Sequence, residues 1–382
     1  MVDRKLKVLY VCNDDTVLGG ASLSLGNLLQ SLAGAVDPVI LLRSHGLVED
    51  WFAERGYETL VIPFFRATFH GSGFSCALRY IPHYLSWTRT RRSCIREVMR
   101  LLSGKRVDLV HSNSGAVDIG FDLARALGVP HVWHHREYLG LGIRTRLFPS
   151  RKRWIGRIRS TEANIAITHG VARYLQIDSL PGTFCIPDAV RPANDTVFVR
   201  KKEPFFLFIA GKIYPGKHPE TALEAFAQSQ LASEGYRMRM VGSLTPGYRA
   251  ELDSLSRRLG LSQSVDFISF VDDVKASFAQ ATAFLMCSEF EGMGRVTIEA
   301  MFYGCPVIAR NSGGSADILE NRRTGFLFDS VGECAGYMRR VAGALPEEMI
   351  LAAQREAVSR YSEENYGEKI LQVYHKVLKE WK

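Results

Sequence analysis

Two glutamates in a glycine-containing loop have the spacing in this sequence that points most directly to chemistry. Glu291 and Glu299 have seven residues between them in the stretch EFEGMGRVTIEAM, and Gly292 and Gly294 lie within that interval. The apolar run AFLMCS precedes the loop and predicts a buried strand. A helix is then predicted to begin near Gly294 or Arg295, which places both carboxylates beside a strand-to-helix turn.

Such a turn predicts an anion site. The first N–H groups of a helix have no partner within it, and its positive end attracts negative charge. Glycines allow a close approach of ligand to backbone, and Glu299 lies roughly 7.5 Å along the helix axis. A ligand with phosphates in the middle and hydroxyls at both ends satisfies these features. The expected ligand is a nucleotide diphosphate sugar, with its sugar near Glu291 and its ribose near Glu299.

Two lysines follow an earlier strand in AGKIYPGKHPETALEAF. Lys212 and Lys217 lie five residues apart across a Pro-Gly turn, where two ammonium groups can neutralise a diphosphate leaving group as it departs. The sequence has no Asp-x-Asp motif, and Asp272 and Asp273 resemble the start of a helix. We therefore expect a site without a metal ion or other cofactor.

Strands and helices alternate in two blocks, which predicts an α/β protein with two Rossmann-like, doubly wound parallel-sheet domains. Predicted strands in the first block cover 6–12, 58–63, 107–113, 131–135 and 163–169. Those in the second block cover 205–211, 236–242, 265–270, 283–288 and 306–310. Ligands bind at the carboxyl ends of such strands, so we expect both domains to face a central cleft.

The domain boundaries follow from composition. We predict an N-terminal domain at 1–190, a polar linker at 191–204 and a C-terminal domain at 205–362. The last segment, 363–382, is amphipathic, and we expect it to form a helix that crosses the domain junction. A chain of 382 residues is long enough for two domains.

Cysteine usage and the N-terminus bear on location. Seven cysteines are scattered without a Cys-x-x-Cys pair, which favours a reducing cytoplasm. The N-terminal apolar run of about six residues is too short for a signal peptide or a membrane span. The expected location is the cytoplasm. Peripheral attachment to the inner face of the membrane is compatible with that location and stays open.

The net charge of +8 is concentrated in the first half of the chain, which suggests an anionic partner there. One basic run contains Arg79, Arg89, Arg91, Arg92, Arg96, Arg100, Lys105 and Arg106. The other contains Arg144, Arg146, Arg151, Lys152, Arg153, Arg157 and Arg159. Aromatic residues interleave the first run, and segment 64–106 fits either a surface that docks on anionic lipid or a core helix with a basic solvent face. No nucleic-acid module accompanies the charge, so nucleic acid is not an expected partner.

The second half of the chain resembles glycosyltransferase family 4, which belongs to the glycosyl transferases group 1 and includes glycogen-synthase-like enzymes. The resemblance rests on EFEGMGRVTIEAM, GCPVIARNSGG, TGFLFD and AGKIYPGK, and is dense from about 205 to 330. In the first half it rests on GGASLSL, VDLVHSNS and HVWHHREY. The resemblance implies the GT-B fold and a metal-independent, retaining hexosyltransferase. It implies cell-surface polysaccharide or glycolipid assembly, with a saccharide or lipid-linked acceptor.

The resemblance also assigns roles to residues at matching positions. The implied catalytic residues are Glu291, His134 and Lys217. The implied donor-binding residues are Lys212, Lys217, Glu291, Gly292, Met293, Gly294, Arg295, Glu299, Gly19 and Gly20. Arg136 and Glu137 are candidates on the acceptor side. Lys212 replaces the family's usual arginine, which removes bidentate donation, and Asp317 replaces its usual glutamate.

Some alternatives stay open at this point. Glu291, Glu299 and the two lysines fit ordinary surface positions as well, and the Gly19–Gly20 pair is common wherever a strand turns into a helix. His134 competes with His131 and His135 in one strand, where His135 faces away from it, and a buried structural role also suits His134. Rival functions are a sugar-nucleotide epimerase or hydrolase, which consumes donor without acceptor, and a non-catalytic membrane-associated scaffold.

Overall fold

The computed structural model describes residues 4–13, 19–70, 74–141, 145–271 and 273–381, without the side chains of 70, 74–79 and 145. Asp272, Arg144 and the side chain of Arg79, which the sequence singled out, lie outside this description. The chain divides into two units: unit 1 comprises residues 1–189 and 363–382, and unit 2 comprises residues 190–362. The predicted linker 191–204 thus lies in unit 2, and the C-terminal segment lies in unit 1.

Unit 1 alternates strands and helices along its first 189 residues. Its strands are β1 (Leu6–Val11), β2 (Val36–Leu42), β3 (Glu58–Val61), β4 (Thr68–His70), β5 (Leu109–Ser112), β6 (His131–His135), β7 (Thr145–Leu147), β8 (Ala163–Ala166) and β9 (Thr183–Cys185). Its helices are α1 (Gly20–Ser31), α2 (Leu47–Ala53), α3 (Phe74–Leu101), α4 (Ile119–Leu127), α5 (Arg151–Arg159) and α6 (His169–Leu175). Seven strands form a parallel sheet in the order β3-β2-β1-β5-β6-β8-β9, and β4 pairs with β7 in an antiparallel ribbon.

Unit 2 repeats the pattern. Its strands are β10 (Glu203–Lys212), β11 (Arg237–Ser243), β12 (Val265–Ile268), β13 (Ala281–Met286), β14 (Val307–Arg310) and β15 (Phe326–Phe328). Its helices are α7 (Pro219–Ser229), α8 (Pro246–Arg258), α9 (Val274–Gln280), α10 (Arg295–Phe302), α11 (Gly313–Ile318), α12 (Val331–Gly343) and α13 (Glu347–Tyr361). The sheet is parallel in the order β12-β11-β10-β13-β14-β15. Both sheets confirm the predicted doubly wound α/β fold.

Strand alternation explains how unit 1 buries both faces of its sheet. In β1, Val8 and Tyr10 pack on one side with α1 and α2, while Leu9 and Val11 pack on the other side with α3 and α4. Successive residues of a strand point to opposite faces, so a strand covered on both sides is apolar throughout. This is why the strands of unit 1 appear in the sequence as continuous apolar runs.

The last helix, α14 (Tyr366–Glu380), completes unit 1. Its buried side chains at Ile370, Val373, Tyr374 and Val377 belong to the same apolar cluster as Val8 and Tyr10. The amphipathic stripe predicted for this segment is therefore the face that packs on the first sheet. Tyr374 Oη also contacts Tyr10 Oη at 3.0 Å and His111 Nδ1 at 2.7 Å.

Candidate active site

The strand order of each sheet defines where a ligand can enter. In unit 2 the order reverses between β10 and β13, because β11 and β12 lie on one side of β10 and β13 to β15 on the other. Loops that leave adjacent strands in opposite directions open a crevice at the carboxyl edge of the sheet. Lys212 is the last residue of β10, Lys217 lies in the loop that follows it, and Glu291 lies in the loop after β13. The residues that the sequence selected thus come from the ends of two adjacent strands and their loops at this switch point.

A tight turn presents Lys217. Residues Pro215–Lys217 form a 3₁₀ turn, in which the Lys217 N–H donates to the Tyr214 carbonyl at 2.8 Å. Pro219 then occupies the first turn of α7, where a proline is favoured because its missing N–H has no intrahelical partner. The turn thus lies in the short connection between β10 and α7.

Lys217 and Glu291 contact each other directly. The Lys217 Nζ donates to Glu291 Oε1, and the two side chains are only 23% and 18% exposed. The structure therefore brings together an ammonium group predicted to bind phosphate and a carboxylate predicted to bind sugar hydroxyls.

The loop after Glu291 leads into α10. Gly294 is the N-cap of this helix and has a φ of 79°, a left-handed conformation that favours glycine. Met293 and Gly294 are buried and Arg295 begins the helix. The backbone N–H groups of 293–295 lie at the start of α10, where an anion is favoured. The predicted loop-to-helix turn is present at these residues.

A second glycine pair supports this loop from beneath. The Gly314 N–H donates to the Glu291 carbonyl at 2.7 Å. A Cβ at Gly314 would lie 2.7 Å from the Met293 carbonyl oxygen, and one at Gly313 would lie 2.9 Å from the Glu289 carbonyl oxygen. Both glycines are therefore required for close approach of two backbones.

We expect Gly314→Ala to displace the loop that carries Glu291. The added methyl group would lie within 3 Å of three atoms of Gly292 and Met293, all of them backbone. Overpacking of this kind costs about 1–3 kcal/mol. Chemical denaturation should show that loss of stability, and donor binding should weaken with it. Gly336→Ala is the matched control, since no heavy atom lies within 4 Å of its added Cβ. Equal stability and donor affinity in the two variants would contradict this role of Gly314.

Glu299 is the second predicted glutamate, and it lies in the middle of α10. Its side chain is 15% exposed and accepts a hydrogen bond from Arg191 Nη2 at 3.1 Å. Burial raises the pKa of Glu299 above its usual value, and the positive charges of Arg191 and Arg295 oppose that shift. The carboxylate is thus held in place by an arginine that the sequence analysis did not identify.

Arg191 lies in the stretch predicted to be a linker. Asp195, four residues later, accepts from Tyr303 Oη at 2.8 Å and from Lys275 Nζ, and Val190 N–H donates to Tyr361 O at 2.9 Å. This stretch therefore packs on α9, α10 and α13 as part of unit 2. The segment has no periodic hydrophobic pattern. Only its isolated charged residues, such as Arg191 and Asp195, could have suggested these contacts from the sequence.

Four buried hydroxyl oxygens in the same region have no hydrogen-bond partner within the described ranges. They belong to Ser288, Thr297, Ser312 and Ser315. Buried polar groups are nearly always paired, so this concentration marks a region whose hydrogen bonding is incomplete. The Thr297 Oγ1 lies 3.4 Å from the position of a Cβ on Gly294, which places one of these oxygens beside the N-cap of α10.

The remaining predicted residues of unit 2 lie around this crevice. Lys212 is the exposed last residue of β10, beside Ser243 of β11. Gly292 is half-buried in the loop before α10. Asp317 lies in α11, three residues after Gly314. Asp273 caps α9 by accepting from the Ala276 N–H at 2.8 Å, as the sequence predicted for a helix start.

Unit 1 has its own switch point between β1 and β5. Gly19 is the N-cap of α1 and Gly20 its first residue, and α1 is the helix that follows β1. Backbone N–H groups at this end of a twelve-residue helix are favourable for an anion. The glycine pair is thus placed where the sequence located it, at the turn from strand to helix.

The three histidines of β6 are all buried. His131 bonds with Ser112 Oγ at 2.9 Å, and His135 Nε2 with Asn164 Oδ1 at 2.9 Å. His134 lies on the other face, with Nδ1 3.2 Å from Arg136 Nη2. Burial lowers the pKa of His134 well below its usual value and that of His135 to about 4. His134 has no exposed surface, which favours the buried structural role over direct contact with substrate.

The acceptor-side candidates are likewise engaged inside unit 1. Arg136 donates to Asp188 Oδ1 through Nη1, and to the carbonyl and side chain of Asn113 at 3.0 Å each. Asp188 also accepts from Tyr366 Oη of α14 at 2.9 Å. Glu137 accepts from Ser114 Oγ at 2.7 Å, and burial raises its pKa. Arg136 is thus bound within the protein rather than exposed to an acceptor.

No group of three or more His, Cys, Asp or Glu side chains in the part of the chain that the structure describes has the arrangement to hold a metal ion. Within the same residues, no helix combines the length and apolar character needed to cross a membrane.

Comparison with known proteins gives consistent results. Residues 190–365, nearly all of unit 2, match the family model of the glycosyl transferases group 1. An uncharacterised glycosyltransferase of Haemophilus influenzae is 24% identical over 356 residues, which is 88% of this chain and 93% of that protein. The crystal structure of HepE from Anabaena in complex with UDP superposes with a TM-score of 0.78 at 18% identity, covering 97% of this chain and 100% of that one.

A further relative matches only part of the chain. The α-1,4-N-acetyl-D-galactosaminyltransferase of Campylobacter jejuni, whose acceptor is named as a diphosphoundecaprenol-linked saccharide, is 30% identical over 129 residues. That alignment covers 33% of this chain and 34% of the Campylobacter protein. These findings agree: the chain has the GT-B fold, and its residues 190–365 match the glycosyl transferases group 1 family.

Proposed function

We propose that this protein is a retaining family 4 hexosyltransferase that moves a sugar from a nucleotide diphosphate donor to an acceptor hydroxyl. The observation that carries the proposal is the contact between Lys217 Nζ and Glu291 Oε1 at the switch point of the unit 2 sheet. These two groups are complementary to the two halves of such a donor, since an ammonium group attracts phosphate and a carboxylate accepts hydrogen bonds from sugar hydroxyls.

Donor binding would exchange the partners within this pair. The diphosphate takes the Lys217 ammonium group, and Glu291 becomes free to accept hydrogen bonds from the donor sugar. Lys212 is exposed at the end of β10 and supplies a second positive charge, while the N–H groups of 293–295 face the phosphates. In the absence of ligand the two side chains neutralise each other, so neither charge is left half-buried without a partner.

The reaction breaks the bond between the anomeric carbon and the diphosphate oxygen. The electron pair goes to the leaving diphosphate, whose growing charge the two lysines and the start of α10 stabilise. The acceptor oxygen bonds to the anomeric carbon on the face that the leaving group vacates, and the acceptor proton passes to a departing phosphate oxygen. The products are a glycoside of retained configuration and a nucleoside diphosphate, and no protein nucleophile is needed.

Glu299 is proposed to accept hydrogen bonds from the donor ribose. We expect Glu299→Ala to weaken donor binding by about tenfold to a hundredfold, because a hydrogen bond to a charged group contributes about 1.5–3 kcal/mol. Isothermal titration should show this, with little change in kcat at saturating donor. Because the pKa of Glu299 is raised, affinity in the unaltered protein should fall as the pH is lowered through that pKa.

Two variants serve as controls for this assignment. Glu299→Gln should lose most of the pH dependence that the Glu299 carboxyl contributes, because an amide does not titrate in this range. Glu289→Ala removes a nearby glutamate that is 47% exposed, and its donor affinity should be unchanged. Unchanged affinity in Glu299→Ala would remove Glu299 from the donor site.

The acceptor is proposed to be a saccharide or lipid-linked hydroxyl used in cell-surface polysaccharide or glycolipid assembly. The lipid-linked saccharide named for the Campylobacter relative supports this class. A nucleotide sugar is proposed as the donor, and the UDP bound by HepE, which has a similar fold, supports this proposal. We further propose that the reaction needs no metal ion, since the lysines and the helix start supply the positive charge.

An acceptor-dependence assay tests the function. Purified protein is incubated with UDP-, GDP- or ADP-sugars, with and without a lipid-linked saccharide fraction, and release of nucleoside diphosphate is measured. Release that requires the acceptor is expected. Equal consumption of donor without acceptor would instead indicate an epimerase or hydrolase, and no consumption of any donor with any acceptor fraction would favour the scaffold.

A further inference from the structure

The surface of α3 carries exposed apolar side chains that no other part of unit 1 covers. Ile81 is 69% exposed and Leu85 is 59% exposed, and Met99 near the end of the helix is 38% exposed. The opposite side of the helix is buried at Trp87 and Cys94. Isolated exposed apolar residues are common, but three on one helix face call for an explanation.

Three arginines share this face. At 100° per residue, the side chains at 81, 85, 89, 92, 96 and 99 fall within an arc of about 80°. All six residues are exposed. We call this set, namely Ile81, Leu85, Arg89, Arg92, Arg96 and Met99, the outer stripe of α3. It begins with two apolar residues, continues with three arginines and ends with Met99.

The arginines of the outer stripe differ from other basic residues of the same run. Arg91 and Arg157 are buried and bond to Asp118 and Asp122, so they hold α3, α4 and α5 together. Arg100 pairs with Glu97. Within the described residues no acidic side chain lies within ion-pair distance of Arg89, Arg92 or Arg96. Part of the basic run is therefore structural, and the outer stripe is the part left for a partner.

A second basic helix lies beside α3. Tyr80 Oη donates to the Pro149 carbonyl at 2.9 Å, and the Arg153 guanidinium lies 5.6 Å from the ring of Trp87. Helix α5 follows Pro149 and exposes Arg151, Lys152, Arg153 and Arg159. The sequence has no Asp or Glu at 59–96 or at 138–161. Helix α5 thus extends the positive charge of α3, and neither of these two segments contributes a carboxylate of its own.

We propose that the outer stripe of α3 docks this protein on a bilayer surface that contains anionic phospholipid. Arginines pair with the headgroups, and Ile81 and Leu85 enter the boundary with the acyl chains, as in helices that lie in the membrane interface. Nucleic acid would be attracted by the same charge but offers no apolar layer for Ile81 and Leu85. The inference concerns binding alone, so it stands or falls independently of the proposed transfer reaction.

Vesicle cosedimentation tests the inference. The full chain should bind vesicles with about 30% phosphatidylglycerol, bind phosphatidylcholine vesicles far less, and dissociate at about 500 mM salt. Replacing Arg89, Arg92 and Arg96 together by Ala should weaken binding about 100-fold at low salt, since each basic residue near such a surface contributes about a fivefold factor. Ile81→Ser with Leu85→Ser should weaken it about tenfold.

Matched variants separate docking from charge or folding effects. Replacing Lys369, Lys376 and Lys379 by Ala removes three exposed charges from α14 of the same unit, and Leu47→Ser changes an exposed leucine of α2. Both should bind vesicles within about twofold of the unaltered chain. Circular dichroism melting confirms that each variant is folded. Equal binding by the outer-stripe variants and the unaltered chain would overturn the proposal, as would tighter binding to a duplex oligonucleotide than to anionic vesicles.

Discussion

Replacing Lys217 by Met should lower kcat by about 10²- to 10³-fold, the range found when one preorganised group that stabilises transition-state charge is removed. The Lys217 ammonium group already lies in the crevice, in contact with Glu291. Its interaction strengthens as charge develops on the leaving diphosphate. Donor affinity should change less than kcat, because only part of this charge is present in the bound donor. Steady-state release of nucleoside diphosphate and titration of the donor measure the two quantities.

Two variants sharpen this test. Lys217→Arg keeps the positive charge and should retain more activity than Lys217→Met. Lys275→Met, the matched control, removes a lysine of unit 2 that pairs with Asp195, and it should leave kcat unchanged. A Lys217→Met enzyme with normal kcat would show that the leaving group is stabilised elsewhere.

Asp188→Ala should destabilise unit 1 by about 3–5 kcal/mol, because it leaves the buried guanidinium of Arg136 without its carboxylate. Asp188 is 3% exposed and also accepts from Tyr366 Oη at 2.9 Å. The variant should therefore loosen α14 as well. Thermal unfolding should show a decrease in Tm of about 10 °C for a unit of this size.

A double variant separates loss of packing from the buried charge. Arg136→Met combined with Asp188→Leu removes both charges and should recover most of the stability lost in Asp188→Ala. Tyr366→Phe removes one neutral donor and should cost about 1 kcal/mol. If Asp188→Ala melted at the temperature of the unaltered chain, the pair of Arg136 and Asp188 would not hold unit 1 together.

Periodicity predicted most of the fold because both sheets are buried on both faces. The predicted strand at 131–135 coincides with β6, and β12 covers the first four residues of the predicted strand at 265–270. Strand β2 was not predicted, since Asp37 and Pro38 interrupt its apolar run and proline is unusual inside a sheet. The segment 363–382 was predicted to be an amphipathic helix, and amphipathicity alone specifies only that one face is buried. Its partner, the sheet of unit 1, is distant in sequence.

The candidate site in unit 2 was largely predictable for a topological reason. Loops that follow β10 and β13 must meet if these strands are neighbours, so Lys217 and Glu291 could be paired from the fold class alone. Arg191 could not, because it contacts Glu299 from a segment without periodicity, 108 residues earlier. The glycine pair Gly313–Gly314 is visible in the sequence. The reason for the pair, which is backbone contact with residues 289–293, is visible only in the structure.

Unit 1 shows the limit of residue type as a guide to function. His134, Arg136 and Glu137 have side chains typical of active sites, yet all three bond inside the unit. Polar residues at the end of a strand are typical of two structures: a functional site, or a buried hydrogen-bond network that lies beneath a functional site. Only the partners, here Asn113, Asp188 and Ser114, distinguish these alternatives.

We propose above all that unit 2 binds a nucleotide diphosphate sugar through Lys217, Glu291 and Glu299 without a metal ion. Thermal shift of the full chain with UDP-, GDP- and ADP-sugars, first in EDTA and then with Mg²⁺, tests it most directly. One donor should raise Tm in EDTA, Mg²⁺ should add little to that shift, and Glu299→Ala should reduce it. Stabilisation that requires Mg²⁺, or the absence of a shift with every donor, would contradict it.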